Sequence, residues 1–451
     1  MRLLFFNRSF YPDVEATGQF LSELCQDLSH EHEVTVVAGR GYNMAQFGSW
    51  LPVRQEQWGR IRILRAYNPR LNKQRFLSRV VNLLSYFCFS FIAGCIARRP
   101  DVVVVLTDPP VLGLVAVFFA RLYRAKLIFS VKDVYPEVAI VLSQIKSRAL
   151  IKLLDASTQY TLSRADRVAV LGEDMAARMK AKGCCDESRI RVIPDWVDTQ
   201  HVRPQEDRGQ KAEVSRQSSY FSAERPSFME QHGLDGQFVV MFSGNLGLSQ
   251  DLERVIDVAG SFGGHNRIRF VFIGEGAAKA GLMAKARARQ NVVPQGSTKS
   301  TESFECPVPI DGEHSSLVLK NVLFLPYQPR EKLGESLGAA DVHLVTLKRG
   351  VAGLIVPSKV YGIMAAGRPF IAAIEEDSHV AGIIREHRCG VRIDPESTEQ
   401  LKAAILWAAG NRKELEAMGQ RGREAAVKHF DRKISVGKFQ VMLEELQRDP
   451  V

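Results

Sequence analysis

The sequence predicts an α/β protein built from two Rossmann-like, doubly wound parallel-sheet domains. Three observations lead there. The chain has 451 residues, too many for one ordinary core and enough for two of about 200 residues each. Short β-branched or aromatic runs alternate with helical segments. That alternation stops at a polar, proline-marked stretch and then begins again.

The first round of strands is expected at Leu3–Phe6, Val34–Gly39, Ile61–Leu64, Val102–Leu106, Leu127–Val131, Val168–Leu171 and Ile190–Ile193. These runs are almost continuously apolar, as strands covered on both faces must be, which is the signature of a parallel sheet between helices. The second round falls at Phe238–Gly244, Phe270–Gly274, Val322–Pro326, Val342–Leu347, Phe370–Ile374 and Gly390–Ile393. Pro194 to Pro204 reads as the hinge. The expected division is a first domain over 1–198, a second over 199–430, and a C-terminal helix over 431–451 able to pack back on the first. Open parallel sheets bind ligands beyond the carboxyl ends of their strands. Two such domains facing each other would enclose one cleft. Gln205–Phe228 and Gly296–Ser316 are polar and read as surface insertions.

The apolar stretch Val80–Ala97 has the length of a short membrane span. Spanning is rejected because strands of one sheet precede and follow it. A buried or half-buried helix is the first reading. A helix lying in a membrane interface is the second, since Arg75, Arg79, Arg98 and Arg99 flank it.

Composition narrows the partners. The net charge of +10 points to an anionic partner. The basic residues are scattered and no zinc-finger or RNP-like signature occurs, so no nucleic acid is expected. Seven cysteines without a C-x-x-C pair read as reduced thiols of a cytoplasmic protein. The apolar run at the N-terminus is too short for a signal peptide. No histidine pair has metal-ligand spacing and no Asp-X-Asp triplet occurs, so no metal site is expected.

Two clusters carry the chemistry. Gly244, Asn245 and Gly247 join a strand to an amphipathic helix, where glycines let the backbone approach a diphosphate. Lys348–Pro369 is the second. Pro357 and Ser358 look like a helix start, and Lys359 sits in that first turn, where the helix dipole disfavours a cation unless an anion docks there. Arg349, Gly350 and Gly353 complete a cationic, backbone-accessible loop. In the first half, Gly18 either lets a phosphate-bearing ligand approach closely or marks an ordinary helix N-terminus. Asp133 either meets a ligand hydroxyl or caps the following helix. Glu275 and Glu376 are further ligand-binding candidates.

The set Tyr11–Phe20, Lys132–Glu137, Pro194–Trp196, Phe242–Gly247, Ile273–Gly276, Lys348–Lys359 and Met364–Pro369 resembles the GT-B, family 4 retaining glycosyltransferases. The nearest resemblance is to the exopolysaccharide and O-antigen branch that includes colanic acid fucosyltransferases and fucosaminyltransferases. The resemblance covers nearly the whole chain except the two insertions. It implies retaining, metal-independent transfer from a nucleotide-sugar donor, UDP- or GDP-linked, with no cofactor. The acceptor it implies is a lipid-linked or membrane-held glycan, with the protein at an anionic membrane surface on the inner face of the cell membrane. Many members carry two glutamates where this chain has Leu354 and Gly362, the second anchoring the donor ribose; here Lys359 is inferred to take the phosphate charge. The alternatives are a catalytically silent sugar-nucleotide-binding partner in a polysaccharide assembly complex and a nucleotide-sugar epimerase. The epimerase reading lacks a G-x-G-x-x-G fingerprint after the first strand.

Overall fold

The computed structural model describes residues 1–13, 15–40, 51–69, 71, 76–204, 227–263, 267–290 and 316–448. The chain divides into two compact units. Met1–Trp196, Val351–Val356 and Arg432–Val451 form the first; Val197–Gly350 and Pro357–Asp431 form the second.

The first unit holds eight strands: β1 (Arg2–Phe6), β2 (Glu33–Gly39), β3 (Val53–Trp58), β4 (Ile61–Ala66), β5 (Val102–Leu106), β6 (Lys126–Ser130), β7 (Arg167–Val170) and β8 (Ile190–Val192). Their order across the sheet is β3-β4-β2-β1-β5-β6-β7-β8. All pairs are parallel except β3 with β4. The chain works outward from β1 on one side and then from β5 on the other. The crevice of the sheet therefore opens at the carboxyl ends of β1 and β5. The helices are α1 (Ala16–Leu28), α2 (Phe76–Ile96), α3 (Leu112–Tyr123), α4 (Glu137–Val141), α5 (Arg148–Arg164) and α6 (Glu173–Ala181). Every residue of β5 is buried, as its run of four valines requires.

The second unit repeats the plan with β9 (Phe238–Ser243), β10 (Ile268–Ile273), β11 (Ser316–Leu319), β12 (Val322–Leu325), β13 (Val342–Thr346), β14 (Phe370–Ala373) and β15 (Gly390–Ile393). The order is β11-β12-β10-β9-β13-β14-β15, again parallel except for the edge pair β11–β12. Its switch point lies at the carboxyl ends of β9 and β13. Its helices are α7 (Phe228–Gln231), α8 (Leu252–Ser261), α9 (Lys279–Gln290), α10 (Leu333–Gly338), α11 (Lys359–Ala365), α12 (His379–His387), α13 (Thr398–Gly410) and α14 (Arg412–His429). Serine side chains cap α12 and α13 by accepting backbone N–H groups. The last helix, α15 (Arg432–Arg448), inserts Phe439, Met442, Leu443 and Leu446 into the first unit's core. Arg432 grips Asp27 of α1 through two N–H groups, at 2.7 and 2.8 Å.

Several sequence expectations need correction. β3 and β11 were not expected. Each is an antiparallel edge strand; β3 is only partly covered, so its sequence, VRQEQW, lacks the continuous apolar run that marks the others. Of the expected insertion at Gln205–Phe228, only Ser227 and Phe228 lie within the described residues; Phe228 is buried and opens α7. Of Gly296–Ser316, only Ser316 is described, and it begins β11. Val351–Val356 was expected in the second domain but packs with the first unit, because Leu354 is buried in that unit's apolar core. The Leu354 carbonyl accepts the N–H of Val134. The Val80–Ala97 stretch lies in α2 except for Ala97, which follows its last residue. One face is buried, with Tyr86, Ser90 and Ala93 fully covered, while Val81, Leu84, Phe91, Ile92 and Ile96 are exposed. Among the described residues no helix is long and apolar enough to cross a membrane.

Candidate active site

At the carboxyl end of β9 the backbone turns at Gly244 with φ +138°. At the end of the neighbouring β10, Gly274 and Gly276 have φ +142° and +157°. The two turns nest against each other through bare backbone. A Cβ on Gly274 would lie 2.0 Å from the Gly244 carbonyl oxygen, and one on Gly276 would lie 2.4 Å from that of Leu246. No other residue fits there. The N–H of Gly244 donates to Ile273 and that of Leu246 to Glu275. Among the described residues, the amides of Asn245 and Gly247 have no protein acceptor. They are the ones available to an oxyanion.

Lys359 reaches this turn from the start of α11. Its Nζ lies 3.3 Å from the centroid of the Phe242 ring and 3.5 Å from Gln250 Oε1. Its Cε and Nζ would be 3.3 and 3.4 Å from a Cβ on Gly244. Among the described residues no carboxylate pairs with it. Burial alone pushes its pKa well below that of an ordinary lysine. The aromatic face offsets part of that cost. A half-buried cation with an amide oxygen and a ring for company is a site that an anion would stabilise. The turn is also braced from β13: the Lys348 N–H donates to Ser249 at 2.8 Å, and the Thr346 hydroxyl to Gln250.

The other candidates separate. Arg349 does not stand as a free cation. Its guanidinium is held by both oxygens of Asp394, each at 2.8 Å, and by Glu396 at 2.8 Å. The Gly350 N–H donates to Glu375 Oε2 at 2.9 Å, so the carboxylate at this loop is Glu375, one residue before the expected Glu376. Glu376 itself is exposed and 3.9 Å from Arg392. The Glu275 side chain pairs with Lys279 at 2.6 Å, and only its backbone carbonyl meets the glycine turn. Ser358 is the N-cap of α11 but makes no side-chain cap bond. Gly353, expected in the donor loop, packs in the first unit, where a Cβ would lie 2.9 Å from the Asp174 carbonyl oxygen. The Arg178 guanidinium donates to the neighbouring Ala352 carbonyl. Gly362 faces Leu337.

In the first unit a second polar cluster stands at the carboxyl ends of β1, β5 and β6. Arg8, just after β1, holds Asp108, just after β5, through a two-pronged contact of 3.1–3.3 Å. The Thr107 hydroxyl accepts the N–H groups of Lys132 and Asp133, both at 3.1 Å. The Lys132 ammonium is drawn off to Asp195 at 2.5 Å. Asp133 is thus left near Asp108 and Asp195 without a hydrogen-bonded cation among the described residues. Burial first, and then repulsion from Asp108 and Asp195 against the pull of Lys132, pushes its pKa up to about 7. It can hold a proton near neutral pH and donate it in a hydrogen bond. Gly18 is placed differently from expectation. It is buried in α1, and a Cβ there would meet Ser9 Oγ at 2.5 Å, so the close approach it permits is made by the chain itself.

Sequence reasoning missed Phe242, Arg8, Asp108, Asp195 and Glu375. Phe242 reads as one more core residue of a buried strand. A signal did exist for Arg8 and Asp108, which both follow expected strands, at the carboxyl ends where open parallel sheets bind ligands.

Comparison with known proteins bears on this arrangement. Residues 16–196 match the family described as glycosyl transferase 4-like domain, and residues 314–425 match glycosyl transferases group 1. WbjE of Pseudomonas aeruginosa, named as a probable glycosyltransferase, is 28% identical over 376 residues, or 82% of this chain and 81% of that protein. WcaI of Escherichia coli (strain K12), whose name is that of a colanic acid biosynthesis glycosyl transferase, is 25% identical over 425 residues, covering 90% and 92%. HepE of Anabaena, solved with UDP-glucose, superposes with a TM-score of 0.67 over 99% of each chain at 14% identity, a likeness of fold. The first match falls in the unit that carries Asp133 and the second takes in Lys359 and its loop: the chain belongs to the glycosyltransferases of GT-B fold, with a glycosyl transferase 4-like domain and a group 1 domain.

Proposed function

We propose that this glycosyltransferase moves a sugar from a nucleoside diphosphate donor to a membrane-held glycan acceptor in polysaccharide assembly, with retention at the anomeric carbon and without a metal. The observation that carries the donor half is the half-buried ammonium of Lys359, without a carboxylate partner among the described residues, at the glycine turn of the second unit's switch point. A diphosphate supplies the missing negative charge. The UDP-glucose complex of HepE supports a uridine nucleotide as the first donor to test, with guanosine nucleotides second.

In this reading the bond between the anomeric carbon and the diphosphate oxygen breaks, and the diphosphate leaves with the electron pair. Lys359 and the amides of Asn245 and Gly247 stabilise the charge as it develops, the stage at which preorganised groups contribute most. The acceptor oxygen bonds to the anomeric carbon from the same face. Its proton passes to the leaving phosphate oxygen, so no separate base is needed. Asp133, protonated for part of the time near pH 7, orients the acceptor hydroxyl. Arg349, held by Asp394 and Glu396, braces the loop that carries Gly350. The WcaI relative, named for colanic acid biosynthesis, supports a polysaccharide intermediate as acceptor.

The test is turnover of UDP- and GDP-sugars in excess EDTA, with product anomers resolved by NMR. Donor-dependent transfer with retained configuration is expected. Inversion, or activity restored only by added magnesium or manganese, would refute the mechanism. Donor binding with no transfer or hydrolysis would instead favour a catalytically silent sugar-nucleotide-binding protein.

A further inference from the structure

Far from the cluster around Asp133, the first unit carries a second charged feature. At the amino end of β6, a cavity of about 300 Å³ opens between α3 and α5. Arg121, Arg124, Lys126 and Arg164 line it, and Asp166 is the one acid on its wall. Asp166 is already engaged, accepting the Leu127 N–H at 2.7 Å and lying 3.8 Å from Lys126. Arg121 and Arg164 bracket the Tyr160 ring, and Arg121 donates to the Tyr160 hydroxyl at 2.8 Å. Four cations against one acid form a cradle for a phosphate. The cavity sits at the opposite edge of the sheet from the carboxyl ends where Asp133 stands, so it is not part of that site.

Beside it runs an apolar face. Along α2, Val81, Leu84, Ile92 and Ile96 are 43, 55, 42 and 49% exposed, at helical spacing, so they form one stripe. Cys88 and Cys95 on the same face are exposed too. α2 lies flush on α3 because Gly94 has no side chain: a Cβ there would fall 2.1 Å from the Phe119 ring. Phe91 meets Phe118 at 4.8 Å between ring centroids. Phe118 and Leu122 of α3, 44 and 56% exposed, carry the stripe over to Arg121 and Arg124. Arg99 at the end of α2 donates to the Tyr123 carbonyl, closing the two helix ends together beside the cavity. Monomeric soluble proteins seldom leave so continuous an apolar face open.

We propose that this face docks on an anionic phospholipid bilayer, with the apolar stripe in the interfacial layer and a lipid phosphate in the Arg121–Arg124–Lys126–Arg164 cavity. The inference rests on the reading that the acceptor is membrane-held, and it names the surface that would bring the enzyme there. Charge complementarity selects the occupant. An amphipathic surface with cations at its rim is the form that binds anionic lipid. A second copy of the chain fits worse, since a twofold contact sets the same patch against itself and would bring like charges together.

The experiment is co-sedimentation of the full chain with vesicles of phosphatidylcholine alone and of phosphatidylcholine with phosphatidylglycerol. Wild type should bind the anionic vesicles and release them at high salt. The Arg121→Ser/Arg124→Asn/Arg164→Ser variant should lose on the order of a hundredfold in partitioning, about fivefold per basic residue near an anionic surface. The Leu84→Ser/Ile92→Ser/Ile96→Ser variant should lose binding to anionic vesicles as well. Millimolar inorganic phosphate should not release the protein, which separates a bilayer headgroup from free phosphate. Equal recovery on neutral and anionic vesicles, release by free phosphate, or a dimer in solution abolished by the serine variant would each overturn the proposal. Donor-induced thermal shift is measured on every variant. A shift equal to wild type shows that the fold and donor site are intact. Vesicle binding without any donor-induced shift would sink the donor reading and leave this surface standing.

Discussion

The end of the Lys359 side chain borders the space that a Cβ at Gly244 would occupy. A Cβ at that glycine would come within 3.3 Å of Lys359 Cε and 3.4 Å of its Nζ, and the glycine is already in a backbone conformation, φ +138°, that other residues rarely adopt. The turn and the lysine define one space. Gly244→Ala should therefore act twice. The strained backbone should cost about 1–3 kcal/mol of stability, and the methyl group should push the ammonium a few tenths of an ångström from its position. Donor affinity, read by calorimetry, should fall at least about tenfold. Wild-type affinity in a folded Gly244→Ala protein would separate the glycine from the donor site.

Removing the cation itself should be the most damaging single change. Lys359→Ala is expected to lower kcat/KM by about 10²–10³, the loss on deleting one preorganised charge-stabilising donor. Lys359→Arg should recover only part, because a planar fork does not fill the space of a compact ammonium between Phe242 and Gly244. Steady-state kinetics on both variants decide it; activity within about threefold of wild type in Lys359→Ala would rule out the role.

The same lysine is a burden on the fold. Burial holds its folded pKa well below the ordinary value, so between the two pKa values the unfolded chain binds more protons than the folded one. Stability contributed at this site then rises with pH over that window and is lowest below the folded pKa. Lys359→Met should raise Tm at neutral pH by about 2–4 °C while abolishing most turnover, and should flatten that part of the pH dependence. A lowered Tm in Lys359→Met would show that the charge is well compensated in the free protein.

Asp133 gives the opposite signature. Its folded pKa is pushed up to about 7 from 3.8. Between these values the folded state holds a proton that the unfolded chain has released, so stability falls as pH rises from about 4 to about 7 and stays low above. Asp133→Asn should be more stable than wild type at pH 8 and close to it at pH 4, measured by thermal melts. If the carboxyl also orients the acceptor, kcat/KM for acceptor should carry an ionisation near pH 7 that vanishes in Asp133→Asn, while donor affinity stays unchanged. A pH profile identical in both proteins would remove Asp133 from the acceptor step.

Arg349 should matter far less than Lys359. Its guanidinium is exposed and shared between Asp394 and Glu396, and solvent screening leaves such exposed pairs contributing little to stability. Arg349→Ala should change Tm by no more than a few degrees and kcat/KM by less than about tenfold. A loss as large as that of Lys359→Ala would mean that the arginine leaves its carboxylates for the donor.

The sequence by itself determined the two sheets and the glycine turn that follows β9. It could do so because strands of a parallel sheet are covered on both faces and must be apolar along their whole length, and because a turn with positive φ admits little besides glycine. The edge strands β3 and β11 escaped that logic, since an edge needs no such cover. Only the tertiary structure decided which charges are spent and which are free. Lys359 and Arg349 sit ten residues apart in one basic loop and look alike in sequence. Arg349 is neutralised by Asp394 and Glu396, whereas Lys359 meets Gln250 and the face of Phe242, with no carboxylate pairing among the described residues. Those partners lie 45 to 117 residues away along the chain, and they are brought near by β14 and β15 on one side and β9 on the other. Gly18 and Gly353 were misread for the same reason: a glycine announces close approach, but the packing chooses what approaches. At Gly18 it is Ser9, and at Gly353 it is the backbone of Asp174. Coulomb and packing partners are fixed by distance in space, which the order of residues specifies only through the complete fold.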